Sequence, residues 1–160
     1  MEQAQTVYPI FLTNLDRIVC VVVGGGTIAT RKVRGLLAAQ ATVRVISPQL
    51  TIELAERHAA GHIAWHNRPW QAGDLEDAGL AVAATDVRAV NRAVAHEAQQ
   101  RGILCNVVDA PHEGSFHVPA VYRGVEDDAP VVVAIGTGGT EPRRAVRLRD
   151  RIAAWLAAPR

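Results

Sequence analysis

Val21, Val22 and Val23 run directly into Gly24, Gly25 and Gly26, and Thr27, Ile28 and Ala29 follow. No other stretch limits the possible fold so sharply. It reads G-x-G-x-x-A at the junction of an apolar strand and a helix. The first glycine permits a tight turn, Gly26 lets a pyrophosphate approach the backbone, and Ala29 allows helix and strand to pack closely. The helix amino terminus adds unpaired amides and partial positive charge. A glycine pattern alone is weak, but this one has the strand and the helix it requires. Gly24, Gly25, Gly26, Thr27 and Ile28 are therefore read as contacts to an NAD(P) dinucleotide.

The rest of the chain repeats the alternation. Short β-branched runs at residues 18–23, 42–46, 63–65, 80–84, 103–108 and 131–135 are read as strands. Helices are expected at 27–39, 51–60, 87–101 and 142–157, with Asp86 capping the third and Pro142 in the first turn of the last. Alternating strands and helices indicate βαβ units and a parallel sheet. The fold class is α/β, a Rossmann-type doubly wound parallel sheet with a short C-terminal dimerisation-like extension. We place the NAD(P)-binding domain at residues 1–112 and the extension, ending in a helix, at 113–160. Residues 109–128, with Pro111, Gly114, Pro119, Gly124 and the acidic Glu126, Asp127 and Asp128, are read as a long irregular loop of the functional or mobile kind.

Composition supports this and narrows the partners. Of the 160 residues 49% are hydrophobic but only 4% aromatic, so the core is built from Ala, Val, Leu and Ile, as in parallel strands covered by helices. A net charge of +1 argues against a nucleic-acid partner. No apolar run reaches the roughly 18 residues needed to span a bilayer, and the first residues lack the pattern of a secretory signal. No membrane partner is expected. Cys20 and Cys105 sit in apolar runs and form neither a disulfide framework nor a zinc motif, which fits a cytoplasmic protein.

The dinucleotide pattern usually places an acidic residue about 20 positions on, to hold the adenosine ribose. Here Ser47 and Pro48 occupy that place, so this motif leaves NAD and NADP undistinguished. Thr85 and Asp86 follow the fourth strand, where a doubly wound sheet exposes its carboxyl edge to ligand. Thr85 is placed in the nucleotide cleft. Asp86 is read either as a cleft residue or as a helix cap.

Further segments point to a family. Tyr8, Pro9, Ile10 and Phe11 precede the first strand; Arg31 and Lys32 follow Ala29; Ala83, Ala84, Thr85, Asp86 and Asn91 lie around the fourth strand. Then come Asn106, Val107, Val108 and Asp109, the run Ser115 to Ala120, and Thr137, Gly138 and Gly139 with Pro142. Together these resemble the precorrin-2 dehydrogenase domain of siroheme synthases, across nearly the whole chain. The resemblance implies NAD-dependent oxidation of precorrin-2 to sirohydrochlorin, a tetrapyrrole substrate and a homodimer; some members also insert iron. It makes Asp109 the catalytic acid or base, and Asn106, His117, Thr137 and Gly138 substrate contacts. Full-length relatives continue into a helical domain that helps close the tetrapyrrole site, which a chain ending at Arg160 is expected to lack. Some relatives carry at the place of Thr137 a serine associated with phosphorylation.

The residues themselves leave alternatives open. Asp109 follows an apolar strand at the cleft edge, where a partly desolvated carboxylate suits proton transfer, yet it also reads as a turn residue before Pro111. His112 and His117 lie near it, but their spacing fits no zinc pattern and no metal site is expected. Arg143, Arg144, Arg147 and Arg149 form either a rim for substrate carboxylates or a solvated helix face. The competing functions are a module that binds NAD(H) or a tetrapyrrole without turnover, and a small NAD(P)-binding regulatory domain of the potassium-channel type.

Overall fold

A computed structural model of the chain describes residues 7–138 and 141–157. The chain divides into two compact units, Phe11–Phe116 and His117–Arg160, the latter taking in residues 7–10.

The first unit is built on five parallel strands: β1 (Val19–Val23), β2 (Thr42–Ile46), β3 (Ala64–His66), β4 (Ala78–Ala83) and β5 (Leu104–Val107). Their spatial order is β3-β2-β1-β4-β5, that of a Rossmann sheet. Strand β1 shows no polar alternation because both of its faces are covered. On one face Cys20 and Val22 pack with Ala29 and Val33 of α1 (Thr27–Leu37) and Leu54 of α2 (Ile52–Ala59). On the other, Val21 and Val23 pack with Val94, Ala95 and Ala98 of α3 (Arg88–Arg101). Thr51 caps α2, its hydroxyl accepting from Leu54 N, and Gly102 ends α3 in the left-handed conformation at φ +67°.

One expected cap is absent. The N-cap of α3 is Val87 with no side-chain bond, and Asp86 lies exposed one residue outside. Thr85 takes the local turn instead, its hydroxyl accepting from Val87 N at 3.2 Å. A threonine hydroxyl two residues back closes the same kind of turn that an aspartate would.

The second unit holds a strand missed in the sequence. Within the expected loop, β6 (Ala120–Glu126) pairs antiparallel with β7 (Ala129–Ile135) in a sheet of their own. Strand 131–135 thus belongs to a hairpin and not to the parallel sheet. The acidic pair read as part of a loop is the hairpin turn: Asp127 and Asp128 have φ +49° and +62°. A two-residue turn with both φ positive matches the twist of paired strands, and aspartate tolerates that conformation better than most residues. Gly124, inside β6, hides the strand in the sequence. Helix α4 (Pro142–Leu156) packs on this hairpin, with Pro142 in its first turn as expected.

Candidate functional site

The order of the sheet reverses between β1 and β4, and the glycine turn lies there. Gly24 has φ +121°, and a Cβ on it would stand 2.3 Å from Ala84 O. Gly25 is wedged on the other side, where a Cβ would meet Gln49 O at 1.9 Å. Neither position has room for a side chain. Gly26 differs: a Cβ there would meet nothing within 4 Å. Nothing among the described residues requires a glycine there, so the open space above it is suited to a ligand that approaches the backbone. Gly26, Thr27 and Ile28 are exposed while Gly24 and Gly25 are buried.

Helix α1 begins at this turn without a side-chain cap or an acidic residue in its first turn. Its first amides therefore remain available to an anion. Thr30 Oγ1 donates to Gly26 O at 3.0 Å and shares a 2.8 Å hydrogen bond with Thr51 Oγ1, while Thr51 N donates to Gly25 O at 2.9 Å. These bonds fix the turn from beneath and leave its outer surface free. The residues fit a dinucleotide pyrophosphate lying across Gly26 to Ile28.

At the ribose position Ser47 is buried, its hydroxyl donating to Gln49 O at 2.7 Å. Trp65 Nε1 donates to Ser47 O at 2.9 Å. Ser47 is thus occupied in shaping the bend after β2, and Pro48 is the exposed member of the pair.

Thr85 forms the facing wall and is held by a residue given no site role from sequence. Asn91 Oδ1 accepts from Thr85 N at 3.0 Å and from Thr85 Oγ1 at 2.8 Å, and Asn91 Nδ2 donates to Thr85 O at 3.0 Å. A signal was available: Asn91 falls on the same helical stripe as Val94, Ala95 and Ala98, where an apolar side chain would be expected.

Asp109 follows β5 at the carboxyl edge, but its side chain is 33% exposed, not desolvated. Arg88, at the start of α3, stands beside it, with Nε 3.8 Å from Asp109 Oδ2, and hydrogen-bonds through Nη2 to Glu113. Neither Arg88 nor Glu113 was singled out from sequence, since their pairing spans 25 residues. Asn106 is 4% exposed, with Nδ2 donating to Phe116 O at 3.1 Å and Oδ1 without a hydrogen-bond partner among the described residues. Beside it Ser115 N donates to Cys105 O and Cys105 N to Ser115 Oγ, both at 2.8 Å. Three hydrogen bonds thus clip residues 115–116 along the outer edge of β5.

His117, Thr137 and Gly138 belong to the second unit, with Gly138 at φ +62°. Gly139 lies outside the described residues. His112 is exposed, and among the described residues no group of three or more His, Cys, Asp or Glu side chains is placed to hold a metal ion. In the basic cluster Arg144 pairs with Glu141 and Arg149 with Asp150. Burial pushes the thiols of Cys20 and Cys105 up to about 11, consistent with inert core residues.

Residues 11–120 match the model of an NAD(P)-binding family, from the segment before β1 to the start of β6. The chain belongs to that NAD(P)-binding family. Among curated relatives of this family member, the siroheme synthase of Methylobacillus flagellatus is 46% identical over 150 residues, covering 94% of this chain and 31% of that protein. The siroheme synthase of Methylococcus capsulatus is 45% identical over 147 residues, covering 90% and 29%. The chain thus spans about a third of the length of the curated relatives it matches. Among solved structures, SirC, precorrin-2 dehydrogenase, superposes with a TM-score of 0.77 at 28% identity, covering 92% of this chain and 70% of that one. The α/β Rossmann-like fold is common ground between sequence, structure and the solved relative, and the matched family is one that binds NAD(P). No helix among the described residues is long and apolar enough to cross a membrane.

Proposed function

We propose that this chain is the NAD-dependent dehydrogenase that oxidises precorrin-2 to sirohydrochlorin on the route to siroheme. The observation that carries the reading is the likeness to SirC, precorrin-2 dehydrogenase, over 92% of the chain, with an open glycine turn at the sheet's switch point. Siroheme synthase relatives at 40 to 46% identity support the same pathway.

The oxidation removes a hydride and a proton from the macrocycle. NAD, when bound, supplies the hydride acceptor. Gly24, Gly25 and Gly26 with the first amides of α1, contributed by Thr27 and Ile28, hold the pyrophosphate; the Ser47–Pro48 bend faces the ribose end, and Thr85 and Asp86 form the opposite wall. Asp109 takes the proton, its exposure leaving the carboxylate accessible to a large substrate. Arg88 lends that carboxylate a nearby positive charge without hydrogen-bonding to it. Asn106 positions the residues leading to His117, and His117, Thr137 and Gly138 belong to the tetrapyrrole side.

We further infer a cytoplasmic homodimer. The free thiols of Cys20 and Cys105 support a reducing compartment. Exposed Val125 on β6 and Trp155 on α4, at 69% and 72%, support burial of the second unit against another copy.

The test is anaerobic. Purified protein is mixed with fresh precorrin-2 and NAD while NADH formation and the sirohydrochlorin spectrum are followed, and Asp109→Ala is run beside it. Turnover that disappears in the variant supports the dehydrogenase. Absence of turnover in the parent protein, with NAD binding intact, replaces this reading with a binding module.

A further inference from the structure

Asn91 is fully buried on the core face of α3, between apolar neighbours, and all of its amide's hydrogen bonds go to a single residue of the nucleotide cleft. We propose that Asn91 is a positioning residue for the dinucleotide, fixing the Ala84–Thr85 peptide against which the glycine turn is built.

The geometry is that of a clamp on two successive peptide planes. Thr85 N belongs to the Ala84–Thr85 peptide and Thr85 O to the next one; Asn91 accepts from the first and donates to the second, at 3.0 Å each. The carbonyl at the other end of the clamped Ala84–Thr85 peptide is the atom that a Gly24 Cβ would meet at 2.3 Å. A trans peptide is rigid, so holding its N–H sets the direction of its C=O. Asn91 therefore decides where the wall facing Gly24 stands, acting through Thr85 from its buried place on α3. The Thr85 hydroxyl, bonded to the same Oδ1 at 2.8 Å, ties in the Thr85 side chain of the wall.

An amide in this position needs such a role. Burying an unpaired amide is costly, and an aliphatic side chain would continue the stripe of Val94, Ala95 and Ala98. Here the amide is not unpaired, because the turn offers it three hydrogen-bonding atoms, Thr85 N, Oγ1 and O. The inference rests on NAD(P) binding by this family and not on the identity of the substrate.

The full chain is titrated with NAD by calorimetry as the parent protein and as Asn91→Ala, Asn91→Asp, Thr85→Val and Val94→Ala, with thermal melts in parallel. Asn91→Asp keeps the acceptor and sets a second acceptor oxygen against Thr85 O in place of the donor, so it acts first on the second peptide plane. Both Asn91 variants are expected to bind NAD about tenfold more weakly or worse, with affinity falling out of proportion to the melting temperature. Val94→Ala, a core truncation on the same helix, is expected to melt lower while binding NAD within about twofold of the parent. Thr85→Val combined with Asn91→Asp is expected to lose less than the sum of the single losses, because both act on one turn. Should Asn91→Ala fail to fold, Asn91→Asp and Thr85→Val carry the measurement. Parent-like NAD affinity in Asn91→Asp, or an equal loss in Val94→Ala, overturns the proposal and leaves Asn91 a core residue only.

Discussion

Arg88 hydrogen-bonds to Glu113 and stops short of Asp109, its Nε 3.8 Å from Asp109 Oδ2. One guanidinium thus serves two carboxylates unequally. Its hydrogen bond holds the Glu113 carboxyl below the usual range, and its charge acts in the same direction. Asp109, on the outer side of the pair, keeps its exposure.

Replacing Glu113 with Gln weakens the stronger partner and releases Arg88 toward Asp109. A carboxylate closed into a two-pronged arginine pair is a poor proton acceptor. Turnover of precorrin-2 is expected to fall about tenfold while NAD affinity holds. Steady-state kinetics with both substrates varied reads this directly. Unchanged kcat in Glu113→Gln would uncouple Arg88 from the chemistry.

Gly24 and Gly26 are expected to respond in opposite ways to a single methyl. Gly24→Ala places Cβ 2.3 Å from a backbone carbonyl at φ +121°, so it costs about 2 to 4 kcal/mol of stability. Gly26→Ala meets nothing within 4 Å and should change stability by less than about 0.5 kcal/mol, yet its methyl enters the space above the turn and weakens NAD binding. Urea denaturation and NAD titration of the two variants separate the effects. Tight NAD binding by Gly26→Ala would remove the pyrophosphate from this surface.

Lys32 is the chain's only lysine, and burial, aided by the neighbouring charge of Arg31, lowers it to about 8. Below that pH both folded and unfolded chains carry the charge, and the folded one bears the desolvation cost. Between about 8 and the ordinary 10.5 the folded chain has lost the proton and the unfolded chain has not, so this group's contribution to stability rises with pH. Lys32→Met should therefore stabilise the protein at pH 7, with the advantage shrinking above pH 8 and gone near 10.5. Urea curves of parent and variant at pH 7 and pH 10 check it; an advantage that does not change with pH would mean that packing and not charge is the cause.

Ser115→Ala removes the acceptor for Cys105 N, a strand amide that then faces the sheet edge unpaired. The expected cost is about 1 to 2 kcal/mol, with NAD affinity unaltered. Hydrogen exchange should show the Cys105 amide as the site of lost protection. Equal protection in both proteins would mean that the Ser115 clip does not hold the edge of β5.

The sequence by itself determined the nucleotide half of this protein. The valine run into Gly24, the spacing to Ala29 and the repeating strand–helix order depend on neighbours in the chain, and a glycine or a β-branched run reports its backbone preference wherever it stands. Pro142 was legible for the same reason. The turn at Asp127 and Asp128 also carried a local signal, but Gly124 broke the alternation that would have marked its first strand.

Only the tertiary structure decided what surrounds the turn. That Ala84 O blocks Gly24, that Asn91 grips Thr85 and that Arg88 divides itself between Glu113 and Asp109 are contacts between segments brought together by sheet order. Hydrophobic periodicity says which face of a strand is buried, not which strand lies beside it or which polar atom must satisfy another. Asp109 shows the difference: its place after an apolar strand was readable, but its exposure and its arginine neighbour came from the packing of α3 beside β5.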